Sequence, residues 1–413
     1  MPAAAGLPFT AAELDATLVG AGHGRMLPRA AYTSERVLAF ELERLFAGSW
    51  LCVGRAEDLA EPGSRRAVDA GGVGVLLVRG AEGELRAFAN VCRHRAHELV
   101  APGTAGRASA IVCPYHGWSY RLDGSLHAAP GLSAGLVPGF LPAEHGLVRL
   151  PLRVWHGFVM VNGSGDGVPL ADHLGALDEL VAPYRPERLV ARASLQYRVE
   201  ANWKVVCENY HECYHCPRIH PELCQVSPPS SGRNHDLPGA WVGGSMALRD
   251  HAATMSLDGR SGGVPIEGLP GGRLRLVEYL HLLPNLLLSL HPDYLLTHLV
   301  RPLDAVSCQV TCSWYFPPEA AGRPGFDPSY AVAFWDRTNR QDWAACESVQ
   351  RGLASPHFRP GPLAPSEEAV YRFVTMIART YLDGHAVEEG DDPASRGGAA
   401  SGAVAPTRGR ERR

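Results

Sequence analysis

Cys92-Arg93-His94 and, eighteen residues later, Cys113-Pro114-Tyr115-His116-Gly117-Trp118 decide how this chain is read. Each segment offers one thiol and one imidazole. Two such pairs on two loops can hold a [2Fe–2S] cluster. Thiolates then bind one iron, imidazoles bind the other, and the neutral imidazoles raise the potential above that of an all-cysteine cluster. A zinc site would use the same donors. Zinc fingers, however, usually pair Cys with Cys and His with His, whereas each loop here supplies one of each. Gly117 allows close backbone approach beside the second pair. Short β-type runs flank the ligands (Val73–Val78, Ala110–Cys113, Phe158–Val161), separated by Gly, Pro and Asp turns. Leu51 to about Asn162 therefore reads as an all-β insert.

A second ligand-rich stretch runs Asn202-Trp203-Lys204-Val205-Val206-Cys207-Glu208-Asn209-Tyr210-His211-Glu212-Cys213-Tyr214-His215-Cys216-Pro217-Arg218-Ile219-His220. Read as a helix from Asn202 to about Cys216, it places Glu212 and His215 on one face. Pro217 is expected to end that helix and let His220 fold back to the same point. Two imidazoles need one carboxylate to form the facial triad that leaves iron(II) positions open. Asp342 is the candidate, with Asp336 and Glu347 as competitors. His211 alone reads as a surface or satisfied core histidine. Cys207, Cys213 and Cys216 read as small core residues. A zinc site from Cys213, His215, Cys216 and His220 is crowded, because adjacent helical residues point apart.

The rest of the chain bounds the possibilities. At 413 residues it suits two domains. Net charge is −4 with no basic stripe, which argues against nucleic acid; the basic run Arg408–Arg413 reads as a solvated tail. No segment has the length of a membrane span, and no secretory signal opens the chain, so a cytoplasmic location is expected. Ten cysteines in such a chain argue for ligands or small buried residues rather than a disulfide framework. Helices are expected near Tyr32–Trp50 (Ser34 as N-cap), Leu170–Tyr184, Ala331–Leu353 and Glu367–Leu382. Strands are expected at Leu195–Glu200, Leu274–Leu283, Leu286–His291, Tyr294–Arg301 and Ser307–Phe316. Residues 226–275 read as long loops. The expected organisation is a flexible 1–25, a helix of the catalytic domain at 26–48, a cluster domain at 49–165, a catalytic domain at 166–383 and a disordered tail at 384–413.

The first motif resembles the Rieske ferredoxin-like pattern, C-x-H followed by C-x-x-H. Respiratory members of that superfamily carry an extra disulfide, which would need cysteines near 97 and at 115; this chain has His97 and Tyr115. The spacer is slightly long, read as an insertion near Gly103–Gly106. From about Leu27 to Leu382 the chain resembles the α subunits of Rieske non-haem iron, ring-hydroxylating oxygenases. The resemblance rests on Cys92-Arg93-His94-Arg95, Cys113-Pro114-Tyr115-His116-Gly117-Trp118, Asn202-Trp203-Lys204, Glu212-x-x-His215-x4-His220 and the segment Cys346–Leu353.

That resemblance implies an α+β fold, an all-β Rieske [2Fe–2S] domain inserted in a helix-grip catalytic domain of antiparallel sheet plus helices. It implies that Cys92, His94, Cys113 and His116 bind the cluster and that His215, His220 and Asp342 bind mononuclear Fe(II). Glu212 would bridge His116 of one subunit to an iron-ligand histidine of its neighbour, in a homotrimer. O2 would be co-substrate. With no G-x-G-x-x-G in a strand–turn–helix context, NAD(P)H would act through a separate flavin/ferredoxin-type reductase. Glutamate at 212 and the following His220-Pro221-Glu222 resemble the glycine betaine, stachydrine and carnitine oxygenase branch. The implied reaction is hydroxylation of a small organic substrate; N-demethylation of a methylated amine and dihydroxylation of an aromatic ring are the alternatives. Pocket residues are expected among Trp241, Met246, His251, Met255, Tyr279, His281 and Tyr294. A pure electron carrier would need only about a quarter of this length, and a zinc-binding structural module would be colourless.

Overall fold

A computed structural model describes residues 6–383 apart from 21 and 133–136. Its centre is a seven-stranded antiparallel sheet. In spatial order the strands are Val190–Val199, Ser307–Phe316, Leu295–Asp304, Leu286–Leu290, Leu276–Leu282, Trp241–Ala247 and Arg233–Asn234. The middle strands are rich in leucine because both faces are covered, with Glu278, His281, Ser289, Thr297 and His298 buried among the apolar side chains. Leu287, Leu296 and Trp314 pack with the helices Trp203–Tyr210, Ser329–Leu353 and Glu368–Asp383. Leu286, Leu288 and Leu290 pack on the opposite face with Trp155, Phe158 and Leu177.

The segment Leu51–Val161 forms a β unit of further sheets; its inner face joins the main core through Val75, Leu77 and Val159, and its outer part has its own core of Leu76, Phe88, Ile111, Trp118 and Tyr120. Two polar clamps hold it on the large sheet. The Asn285 side chain makes both backbone bonds of Cys52 (3.0 and 2.9 Å), and Arg55 donates to the Pro186 carbonyl at 2.9 Å. The Arg55 guanidinium also stacks over Phe158 and Tyr315. Removing Arg55 would leave both rings uncovered and the Pro186 carbonyl with only the Leu189 N–H, at 3.2 Å.

Several expectations are corrected. Residues 11–18 form a helix rather than a flexible terminus, and Thr10-Ala11-Ala12-Glu13 makes a capping box. Leu14 and Thr17 are fully buried, which ties that helix to the core. Ser34 does occupy an N-cap, but its side chain makes no capping bond. Trp241–Ala247, read as loop, is a strand; Gly243 and Gly244 lower its β signal, yet an added Cβ at either would strike the neighbouring strands. Ala105–Arg107 pairs with Ser64–Arg66 instead of forming a loop insertion. The expected tail, 384–413, lies outside the described residues. Among the described residues no helix is long and apolar enough to cross a membrane.

Candidate metal centres and active-site cavity

The two ligand loops of the β unit share one backbone design. Ala96 N–H donates to the Cys92 carbonyl and Gly117 N–H to the Cys113 carbonyl, each at 3.1 Å. Both turn-closing residues have positive φ, +57° and +72°. Cys92 and Cys113 are buried free thiols, whereas His94 and His116 are exposed at the tip. The two imidazole rings stand 4.7 Å apart, and His94 stacks on Trp118 at 5.0 Å. Tyr120 Oη lies 3.3 Å from Cys92 Sγ and accepts from Arg93 N–H at 3.0 Å. Two buried sulfurs beneath two outward imidazoles fit a cluster bound through sulfur at its inner iron and nitrogen at its outer one. Desolvation by the surrounding loops, together with the neighbouring His94, Arg95 and His97, lowers the His116 pKa, which favours the neutral, ligating ring.

Ala96 carries a cost here. A non-glycine residue in the left-handed region is disfavoured by about 1–2 kcal/mol, partly offset by glycine's greater unfolded-state entropy. Ala96→Gly is therefore expected to stabilise the β unit by roughly 0.5–1 kcal/mol. The check is the urea midpoint followed by cluster absorbance; a lower midpoint would contradict it.

The second site is built differently from the expected continuous helix. The helix Trp203–Tyr210 stops at His211, and Pro217 lies in the first turn of a new helix, Cys216–Ile219, instead of ending the old one. Proline fits there because a first-turn N–H has no intrahelical partner. Glu212 and His215 thus sit in a turn, where the Glu212 carboxylate contacts His215 Nδ1. The same carboxylate accepts the backbone N–H groups of Tyr214 and, at 3.1 Å, His215.

The preceding helix is locked in place by the Asn-Trp-Lys segment. The Asn202 side chain caps Lys204 N–H at 3.0 Å. Lys204, fully buried, pairs with Glu41 at 2.6 Å, and Glu41 also accepts from Trp203 Nε1 at 2.8 Å and from the Tyr381 hydroxyl. Glu208 accepts the Tyr32 hydroxyl at 2.8 Å, and burial pushes its carboxyl up to about 7.

Three predicted ligands converge. His215 Nε2 and His220 Nε2 are 3.2 Å apart; Asp342 Oδ1 is 2.8 Å from His220 Nε2 and 3.4 Å from His215 Nε2. Donor atoms bound about 2.1 Å from one ion at right angles stand about 3 Å apart, so this set fits one metal ion. Burial alone would lower the His215 pKa, but Asp342 and Glu212 raise it to about 9. Burial would likewise raise Asp342, but the two histidines hold it below the usual carboxylate range.

The competing carboxylates are engaged elsewhere. Asp336 accepts from Tyr197 at 2.7 Å and from Arg340, while Glu347 accepts from Glu200 N–H at 3.3 Å. Gln341, which the sequence reading missed, places its Oε1 2.7 Å from His220 Nδ1 and orients that ring.

The cysteine reading is corrected in part. Cys207 is a buried free thiol as expected, but Cys213 and Cys216 are joined in a disulfide. The turn brings their Cα atoms to 4.9 Å, within bonding range. Neither then offers a thiolate, which argues against the crowded zinc site.

A cavity of about 710 Å³ opens from these ligands. Met246 and Tyr279 line it as anticipated; Trp241, Met255, His281 and Tyr294 are buried elsewhere and His251 is exposed. His211 also lines it, with Nε2 3.0 Å from His281 Nδ1, and so is not a free surface histidine. Tyr210, Trp335 and Thr338 line it without having been singled out. The missed signal was spacing: Trp335, Thr338 and Asp342 lie at i, i+3 and i+7 on one helical face.

Comparison with known proteins agrees with both halves. Residues 49–146 match the Rieske [2Fe-2S] domain family, and residues 186–383 match the catalytic domain of ring hydroxylating alpha subunits. The glycine betaine monooxygenase oxygenase subunit of Pseudomonas aeruginosa is 30% identical, over 87% of this chain and 90% of that protein. Its counterpart from Chromohalobacter salexigens is 32% identical over 86% of each. The crystal structure of the quaternary ammonium Rieske monooxygenase CntA with L-carnitine superposes with a TM-score of 0.70 at 27% identity, covering 87% of this chain and 96% of that one.

Proposed function

This chain belongs to the Rieske non-haem iron oxygenases of the α-subunit type, and from that premise we propose that it oxidises an N-methyl group of a quaternary amine. The observation that carries the proposal is the meeting of His215, His220 and Asp342 at a cavity walled by Tyr210, Tyr279 and Trp335. Aromatic faces attract a quaternary ammonium through their quadrupoles, and no hydrogen bond is needed. The similar proteins named for glycine betaine and carnitine support the same class.

Cys92, His94, Cys113 and His116 would hold the [2Fe–2S] cluster, and His215, His220 and Asp342 the iron. When bound, the cluster supplies single electrons and the iron supplies the chemistry that activates O2. The chain's own residues do the rest. Gln341 and Glu212 fix the ring orientations of His220 and His215. The aromatic wall excludes water and sets one methyl group toward the ligands. Overall, one oxygen atom enters a methyl C–H bond and the other leaves as water, consuming two electrons and two protons. The N–CH2OH product then breaks its C–N bond to give tertiary amine and formaldehyde.

The electrons are proposed to come from NAD(P)H through a separate flavin/ferredoxin-type reductase, which fits relatives named as oxygenase subunits. His116 and Glu212 are proposed to meet across subunits of a homotrimer arranged head to tail. The outward placement of His94 and His116 supports this. The test is formaldehyde release coupled to O2 uptake, with the purified chain, a surrogate reductase, and panels of quaternary amines and aromatic hydrocarbons. Stoichiometric formaldehyde from an amine is expected. A cis-diol from an aromatic compound, with no formaldehyde from any amine, would replace this reading with ring dihydroxylation.

A further inference from the structure

The chemistry above leaves the Cys213–Cys216 bond unused. It encloses Tyr214 and the metal ligand His215, and Glu212 directly precedes it. The other eight cysteines are free thiols. A cross-link stabilises a fold mainly by restricting the unfolded chain, and more so for longer loops. A bond between residues only three apart is at the short limit. Its position points to another use.

Cys216 stands at the metal ligands. Its Sγ lies 3.9 Å from His215 Nε2, and this sulfur and a ring nitrogen from each of His215 and His220 fall within 4.8 Å of one another. Sulfur and nitrogen held by one divalent ion at about 2.3 and 2.1 Å stand about 3.5 Å apart at a tetrahedral angle, so a small rotation brings this sulfur to bonding distance. Inside the disulfide it is no ligand, because the thiolate is the form that binds metal. Once freed, it stays in place. Cys216 N–H donates to the Cys213 carbonyl at 3.3 Å, His220 N–H donates to the Cys216 carbonyl at 2.9 Å, and Glu212 accepts His215 N–H at 3.1 Å. None of these bonds needs the disulfide. Access is unequal: Cys216 is buried and Cys213 is partly exposed, and both line the cavity. A small dithiol therefore meets the Cys213 sulfur first, and the departing sulfur is Cys216, beside the histidines.

We propose that Cys213–Cys216 is a redox modification site that controls the mononuclear metal's ligand set, with a dithiol as its reductant. One thiol of the reductant attacks Cys213, forming a mixed disulfide and releasing Cys216. The second thiol then closes the reductant's own disulfide and releases Cys213. The dithiol gives up two electrons and two protons, and both cysteines become thiols. Cys216 next loses its proton to solvent, and its sulfur joins His215, His220 and Asp342 in a position the facial arrangement otherwise leaves open. The bonded state is the active one. The inference rests on the ligand assignment above.

The test uses the full-length holoprotein with cobalt(II) in place of the mononuclear iron. Cobalt X-ray absorption reads that site without interference from the iron cluster, and alkylation with peptide mapping reads the thiols. In protein isolated in air, Cys213 and Cys216 should resist alkylation, and cobalt should have only nitrogen and oxygen neighbours. After dithiothreitol and desalting, both cysteines should alkylate and one sulfur should appear about 2.3 Å from cobalt. Turnover of the iron form should fall by at least about tenfold, the lower end for changes around a bound metal, and return with oxidised glutathione. Cys213→Ala should show the sulfur without reductant. Cys216→Ala should show none and lose the response to dithiothreitol. The proposal is overturned if both cysteines are free thiols in the active protein isolated in air, or if reduction adds no cobalt–sulfur contact or leaves turnover unchanged. The ligand assignment fails separately, if Asp342→Ala leaves cobalt binding unchanged.

Discussion

Asp342→Ala is expected to lower turnover by roughly 10³-fold or more, since a metal ion contributes several kcal/mol to the transition state. The cluster's visible spectrum should not change. Asp342 lies in the middle of the helix Ser329–Leu353, where alanine is a good helix former, so the fold should persist. What is lost is, among the described residues, the one carboxylate within 3.4 Å of both histidine Nε2 atoms. Two neutral imidazoles then hold a divalent cation without a charged partner, and iron content should fall with activity. Absorbance and iron analysis separate the two metal sites: the cluster ligands lie between Cys92 and His116 in another β unit. Retained oxygenation with normal iron content would show that another carboxylate completes the site. Asp336 and Glu347 are held by Tyr197 and the Glu200 backbone, so neither is a ready substitute.

Glu212→Gln is the second large effect. Both metals should remain bound and the cluster should still be reduced by dithionite, yet turnover should fall by at least about 100-fold, the upper end for an outer carboxylate on a metal-bound histidine. The carboxylate touches His215 Nδ1 with one oxygen and caps two backbone N–H groups with the other. Glutamine preserves the shape and one acceptor but removes the negative charge that polarises the ring. A purely structural role predicts near-normal turnover in the glutamine variant. That result would reject the proposed bridging of His116 to His215 through Glu212.

How much was legible varied with how local the signal was. The cluster loops are local: all four ligands fall within 25 residues, and the turn geometry at Ala96 and Gly117 follows from the chain beside them. The central strands were legible because two-sided burial leaves short leucine-rich runs such as Leu286-Leu287-Leu288 and Leu295-Leu296. Trp241–Ala247 was not, because its paired glycines serve close strand packing and carry no β propensity of their own. The helix Ala11–Leu18 was overlooked in an Ala/Gly-rich setting although its capping box was present in the sequence.

Residue identity and spacing were sufficient for the class of chemistry. Two mixed Cys–His loops and a Glu-x-x-His-x4-His run limit the donors to sulfur, imidazole and carboxylate, and those donors limit the metals. Sequence also named Asp342, but left Asp336 and Glu347 in contention because helical spacing alone does not say which carboxylate faces a distant turn. Only the tertiary structure settled which one stands beside His215 and His220, by packing the helix Ser329–Leu353 against that turn. It alone revealed the Cys213–Cys216 bond and the Gln341 contact to His220. Each of these depends on where a side chain points once separate elements pack together. Such a distance is a property of the whole fold and of no single segment.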